Sequence, residues 1–216
     1  MAVMSLELIL VRHGETEWNK EGFFRGHEDM GLNATGIAQA DAASEALKDK
    51  VFEAIYSSTL KRALVTARRI AIPHEIAVRE KAEFLDINFG VWQGKKEDAV
   101  KALHPKLYER WNTNPWGVKF PAGDRVKKSW RRVISGLREV LFTHGTGCVV
   151  VVSHRIPIKF MTGYLLKMPR KEFYKVVHDP GAISIFEVTD KSSARPIVLN
   201  DTRHLAKLSL GKQRDF

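Results

Sequence analysis

Leu6 to Val11 is an apolar run broken only by Glu7, and it stops abruptly at Arg12-His13-Gly14. A second run, Cys148 to Val152, is apolar at every position and stops at Ser153-His154. Runs this short with no polar alternation predict strands buried on both faces, each delivering polar groups at its carboxyl end. Between them the period changes. The stretch after Asn33, with Thr35-Gly36 near its start and small or apolar residues through Leu47, predicts a helix. A short strand follows around Ala54 to Tyr56. Ser57-Ser58-Thr59 then read as caps for a helix carrying Leu60, Ala63, Leu64, Ala67 and Ile70 at helical spacing, closed by Pro73. Pro157 suits the first turn of a helix behind the second strong strand. Ile183 to Val188 and Pro196 to Leu199 read as late strands. Strands alternating with helices predict a layered α/β domain with a mainly parallel sheet. Ligands of such sheets sit in the crevice beyond the carboxyl ends of the strands, and both strong strands place a histidine there. From residue 92 to 124 the pattern is irregular, with Trp92, Trp111, Trp116, Pro105, Pro115 and Pro121 among charges. This segment reads as a helix-and-loop cap inserted in one domain spanning 1–216.

Composition narrows the setting. A chain of 216 residues, 44% hydrophobic, supports one substantial core. Neither a cationic leader before a long apolar stretch nor an apolar run long enough for a bilayer is visible, and the single cysteine, Cys148, has no internal disulfide partner. A buried inert thiol in a reducing, cytoplasmic setting is expected. The formal charge of +10 favours anionic partners: phosphorylated metabolites, nucleic acid or an acidic membrane surface. Six basic residues and no acidic one lie between Arg125 and Arg138, and six against Glu172 alone between Arg155 and Lys175. A solvated helix face explains either stretch equally well.

Leu10-Val11-Arg12-His13-Gly14-Glu15-Thr16-Glu17-Trp18-Asn19 resembles the signature of the histidine phosphatase superfamily, also called phosphoglycerate mutase-like. Further blocks follow in the family's order. Ser57-Ser58-Thr59-Leu60-Lys61-Arg62-Ala63 with Thr66-Ala67 is similar to the second, Leu85 to Gly94 to the block with the proton donor, Val149 to His154 to the block with the second histidine. Asn200-Asp201-Thr202-Arg203-His204-Leu205 resembles a tail frequent in the phosphatase branch. The resemblance implies a three-layer α/β/α fold and a phosphohistidine formed on His13. It makes Arg12, Arg62 and His154 the groups around the phosphate, and Asp86 the proton donor, with Glu83 as the nearest substitute. Asn19, Arg25, Gly26 and Arg155 join the substrate-binding set. No cofactor and no metal are implied, and His27, His74, His104, His144, His178 and His204 lack metal-ligand spacing.

The chemistry accounts for these residue types. Phosphoryl transfer needs an in-line nucleophile, positive groups around the equatorial oxygens and a proton for the leaving oxygen. Neutral imidazole attacks through one nitrogen when the other is held by an acceptor, and arginines make forked contacts to phosphate. Three departures from the family pattern stand out: Gln93 for a common glutamate, Asp124-Arg125 for Glu-Ser, and Arg155 for the glycine usual after the second histidine. Arg155 either disturbs the close backbone approach to phosphate that the glycine allows or adds a cation suited to a second anionic group on the substrate. The expected function is metal-independent hydrolysis of a small phosphorylated metabolite, with neither membrane nor nucleic acid as partner. The alternatives are a cofactor-dependent phosphoglycerate mutase, whose wording is missing at Phe24-Arg25-Gly26-His27 and at Glu109-Arg110-Trp111-Asn112, and a non-catalytic basic module that binds RNA or phosphoprotein. A homodimer is left open.

Overall fold

The two apolar runs lie side by side. In the computed structural model, which describes residues 5–190 and 193–208, β1 (Leu6–Arg12) pairs in parallel with β4 (Gly147–Ser153), Leu8 opposite Val149 and Arg12 opposite Ser153. β2 (Ala54–Ser57) joins the other edge of β4 in parallel, and β3 (Val78–Glu80) joins β2. β5 (Ile183–Asp190) runs antiparallel to β1, and β6 (Ser193–Asp201) antiparallel to β5. The order across the six-stranded sheet is β3-β2-β4-β1-β5-β6, mostly parallel as the pattern predicts.

Successive side chains on a strand point to opposite faces, so the sheet builds two cores. Ile9, Val11, Ile55, Val150 and Val152 face α2 (Ala34–Leu47) and α3 (Lys61–Ala71), packing on Ala43, Leu47, Ala63, Ala67 and Ile70. Leu8, Leu10, Tyr56, Val149 and Val151 face the opposite layer, with α6 (Val126–Thr143) and α7 (Arg155–Leu165). Three layers result. Both strong strands are buried on two faces, which is why neither alternates in sequence.

Irregularity between residues 92 and 124 reflects short elements: α4 (Glu97–Leu103), α5 (Pro105–Thr113) and a 3-10 turn at Pro115–Gly117. Trp92 and Trp111 are fully buried against Phe24, Phe89 and Phe120, so these two indoles are packing groups. The short helix α1 (Glu17–Glu21) follows the Arg12-His13-Gly14 turn, with Thr16 and Asn19 forming its capping box. Cys148 is buried, donates to Glu7 and has its thiol pushed up to about 12 by burial, as an inert core cysteine should. One expectation is corrected. Ser57-Ser58-Thr59 do not cap α3: Leu60 occupies the N-cap with no side-chain hydrogen bond, and Ser57 lies within β2. No helix among the described residues is long and apolar enough to cross a membrane.

Candidate active site

The neighbouring ends of β1 and β4 bring His13 and His154 together, ring centroids 5.1 Å apart. The turn after β1 is anchored at once: His13 N–H donates to the Ser153 carbonyl at 3.0 Å. His13 Nδ1 sits 2.6 Å from the Gly14 carbonyl, an acceptor, so Nδ1 carries the proton and Nε2 keeps its lone pair. Gly14 must be glycine because a Cβ there would lie 2.2 Å from the Gly36 carbonyl, and one on Gly36 would lie 2.0 Å from the Glu15 carbonyl. This mutual approach lets α2 brace the His13 turn, helped by Gln39 on Glu15 N and by Thr66 Oγ1 on Gly14 N.

Arg12 is fully buried, and its Nη1 donates to the His178 carbonyl at 2.6 Å. The loop carrying that carbonyl is pinned from the chain's far end. Asn200 accepts from Asp179 N and donates to the Asp179 carboxylate, while His204 Nε2 donates to the Gly181 carbonyl. The tail motif seen in the sequence thus aims Arg12.

Arg62, also fully buried, donates through Nη1 to the Glu28 carbonyl and through Nη2 to the Gly26 carbonyl, both at 2.8 Å. Its Nε–H donates to His154 Nδ1 at 3.2 Å. A guanidinium only donates, so His154 accepts at Nδ1 and its Nε2–H donates to Ser58 Oγ at 2.7 Å. Both nitrogens of His154 are therefore engaged by protein groups. Ser58 serves this histidine rather than a helix end, a role its sequence position among apparent caps concealed.

Asp86 is 5% exposed and lies 3.7 Å from Arg62 Nη2, its Oδ1 accepting from Ile87 N. Glu83 points elsewhere. It packs on Gly136 of α6 and pairs with Lys81, so the carboxylate beside Arg62 is Asp86. One side chain gathers most of the backbone leading to Asp86: Arg132 of α6 donates to the carbonyls of Ala82, Glu83, Leu85 and Asp86 at 2.8 to 3.1 Å. His27 Nε2 adds a bond to the Asp86 carbonyl, and Ser153 Oγ ties the Phe84 carbonyl to the end of β4. Asp124, in the family's glutamate position, accepts from Asn88 N and Ser129 Oγ and lies 4.0 Å from Arg132. In the sequence Arg132 was indistinguishable from its solvated neighbours. Arg132→Met should displace Asp86 while leaving the histidines in place. A misplacement of about 1 Å costs on the order of 100-fold in rate. That loss is expected for alkyl phosphates, whose leaving oxygen needs a proton, and a much smaller one for p-nitrophenyl phosphate; equal losses would remove the positioning role.

The other expected groups are distributed less evenly. Asn19 is fully buried, its Oδ1 accepts from Thr16, and its Nδ2 has no protein partner. Arg25 is 9% exposed, with Nη1 3.4 Å from the Trp18 and Phe23 carbonyls. Arg25, Asp86 and Arg155 line one cavity with Phe23, Phe24, Phe89 and Ile156. Gly26 contributes its carbonyl to Arg62, so its visible role is to orient that arginine. Gln93 Oε1 accepts from His27 N beside Gly26, organising the same loop.

Burial, then the charges of Arg62 and Arg12, holds His13 well below 6.5; burial, then Arg62 and His13, does the same for His154. His178 is lowered to about 3 by burial and then Arg12. All three are neutral in the folded chain at neutral pH. Below about pH 6.5 the unfolded chain binds their protons and the folded chain does not, so stability present above that value is lost as pH falls, by about 1.4 kcal/mol per pH unit for each group. The urea midpoint is expected to be clearly lower at about pH 5.5 than at about pH 7.5; an unchanged midpoint would contradict these depressed values.

The family model described as "Histidine phosphatase superfamily (branch 1)" matches residues 8–202. Phosphoserine phosphatase 1 of Hydrogenobacter thermophilus is 33% identical over 202 residues, covering 94% of this chain and 95% of its own. A crystal structure of a putative alpha-ribazole-5'-P phosphatase from Escherichia coli superposes with a TM-score of 0.84 at 26% identity, covering 91% of this chain and 97% of that one. The crystal structure of phosphoserine phosphatase from Entamoeba histolytica in complex with 3-phosphoglyceric acid superposes with a TM-score of 0.82 at 29% identity, covering 93% and 99%.

Proposed function

The chain belongs to branch 1 of the histidine phosphatase superfamily and is a phosphatase acting on small phosphomonoesters; from that premise we propose that His13 takes up the phosphoryl group as phosphohistidine. The observation that carries this reading is the 2.6 Å contact from Nδ1 to the Gly14 carbonyl, which presents Nε2 as the lone pair. As the P–Nε2 bond forms, the ester P–O bond breaks, and Asp86, acting as general acid, gives a proton to the departing oxygen. Water then attacks phosphorus, Asp86 takes a proton back, and the P–N bond breaks to release phosphate.

Arg12 and Arg62 neutralise the equatorial oxygens, and their anchoring to main-chain carbonyls means little reorganisation is needed when charge develops. The Asn19 amide supplies a further donor. His154, neutral and held between Ser58 and Arg62, orients Arg62 across from His13. Arg25 and Arg155 offer cations to a second anionic group on the leaving alcohol, and the segment 92–124 backs their cavity by packing Trp92 on Phe24 and Trp111 and Phe120 on Phe89. A single cysteine with a buried thiol supports a cytoplasmic setting as part of this reading.

Purified protein is expected to release phosphate from p-nitrophenyl phosphate without added metal and at an undiminished rate in excess chelator. Loss of activity with chelator would overturn the metal-independent reading. The product from 3-phosphoglycerate, free phosphate rather than 2-phosphoglycerate, separates hydrolase from mutase.

A further inference from the structure

A second cavity, of about 310 Å3, lies away from the crevice, between the Pro115–Gly117 turn, α6, the later turns of α7 and the segment 167–176. It shares no lining residue with the cavity holding Asp86 and Arg155. Its size is at the lower end of the range for small-molecule sites. The walls are aromatic: Trp116 packs edge-on to Trp130, with ring centroids 6.3 Å apart, and contacts Phe160 at 5.8 Å and Phe173 at 5.9 Å. The Trp116 indole is locked in place by donation to the Arg170 carbonyl at 2.9 Å.

Among the described residues, the charged groups that line the cavity are Lys159, Lys167 and Arg170. The Lys159 ammonium lies 5.4 Å from the centre of the Phe173 ring, and the Arg170 guanidinium 5.3 Å from that of Trp116.

A separate feature points to an occupant. Gly163 lies within α7, where glycine weakens a helix relative to alanine. No turn demands it, and a Cβ there would meet no described residue within 4 Å, so packing among the described residues gives no reason for a glycine. Its consequence is open volume at the cavity wall, beside the aromatic cluster.

We propose that this cavity binds a small planar aromatic anion, the ring lying against the cluster of Trp116, Phe160 and Phe173 and the negative charge facing Lys167 and Arg170. The site is independent of phosphoryl transfer at His13, so either can fail without the other.

The test is calorimetric titration of the full chain with 1-naphthylacetate, alongside 1-naphthaleneethanol and 1-naphthylmethylamine, which keep the ring and change the charge. Saturable binding of the acetate is expected, at least about tenfold tighter than either analogue. Gly163→Leu should abolish it by filling the ring's space, with p-nitrophenyl phosphate turnover retained as the sign of an intact fold. Arg170→Glu, at an exposed position, should weaken it about tenfold and carries the test should Gly163→Leu fold poorly. The acetate should not compete with p-nitrophenyl phosphate. No binding, equal binding of the three probes, binding that survives both substitutions, or competition with the phosphate ester would each overturn the proposal.

Discussion

His13→Ala is expected to lower p-nitrophenyl phosphate turnover by about 10⁵-fold or more, on the scale seen when a nucleophile that works as part of a unit is removed. It should also abolish the acid-labile phosphoryl label that the wild-type chain acquires from substrate. The phosphate pocket itself should survive. Arg12 and Arg62 are held by the carbonyls of His178, Gly26 and Glu28, none of which depends on the His13 ring. Inorganic phosphate or vanadate should therefore still bind to the variant, so that the loss is one of chemistry rather than recognition. Turnover within about tenfold of wild type would remove His13 as nucleophile, since no oxyanion-type contact explains so small an effect. Salt-sensitive polynucleotide binding that persists in an inactive wild-type chain would instead favour the non-catalytic module.

Asp86→Asn should divide substrates by their leaving groups. Asparagine keeps the shape and the Oδ1 acceptor for Ile87 N, but has no proton to transfer. For alkyl phosphates, whose alkoxide is a poor leaving group, the loss is expected at about 10²- to 10⁴-fold. For p-nitrophenyl phosphate, which departs as a stabilised phenolate, the first step should slow far less. Equal slowing of both would remove the general acid. Arg132→Met should reproduce the same division in weaker form, because it displaces the carboxyl without changing it. A parallel response of the two variants would tie Arg132 to Asp86 rather than to overall stability.

Much of the site was legible in the chain because local sequence and chemistry coincide there. His13 and His154 each follow a fully buried strand, and a strand of consecutive apolar residues needs no distant partner to be recognised. Asp86 was separable from Glu83 only by direction. Their spacing along the chain is three residues, yet one side chain turns to Arg62 and the other to α6 and Lys81. Ser58 reads as a cap and Arg132 does not stand out in the sequence for a related reason. A serine before a helix and an arginine in a basic helix have common solvated roles, and only contacts more than forty residues away in sequence separate these two from their neighbours.

By itself, the sequence determined the parallel core strands, the two histidines at their ends, the arginines proposed to meet phosphate and the family. Periodicity and short motifs encode these, because they depend on residue type and on spacing along one element. Tertiary structure alone decided how each group is held: the tautomer of His154 through Arg62 and Ser58, the aim of Arg12 through Asn200 and Asp179, and the footing of Asp86 through Arg132. Those contacts join residues far apart in the chain, and a hydrogen bond forms only where both partners arrive at the right distance and angle. Only the packing of the layers sets that.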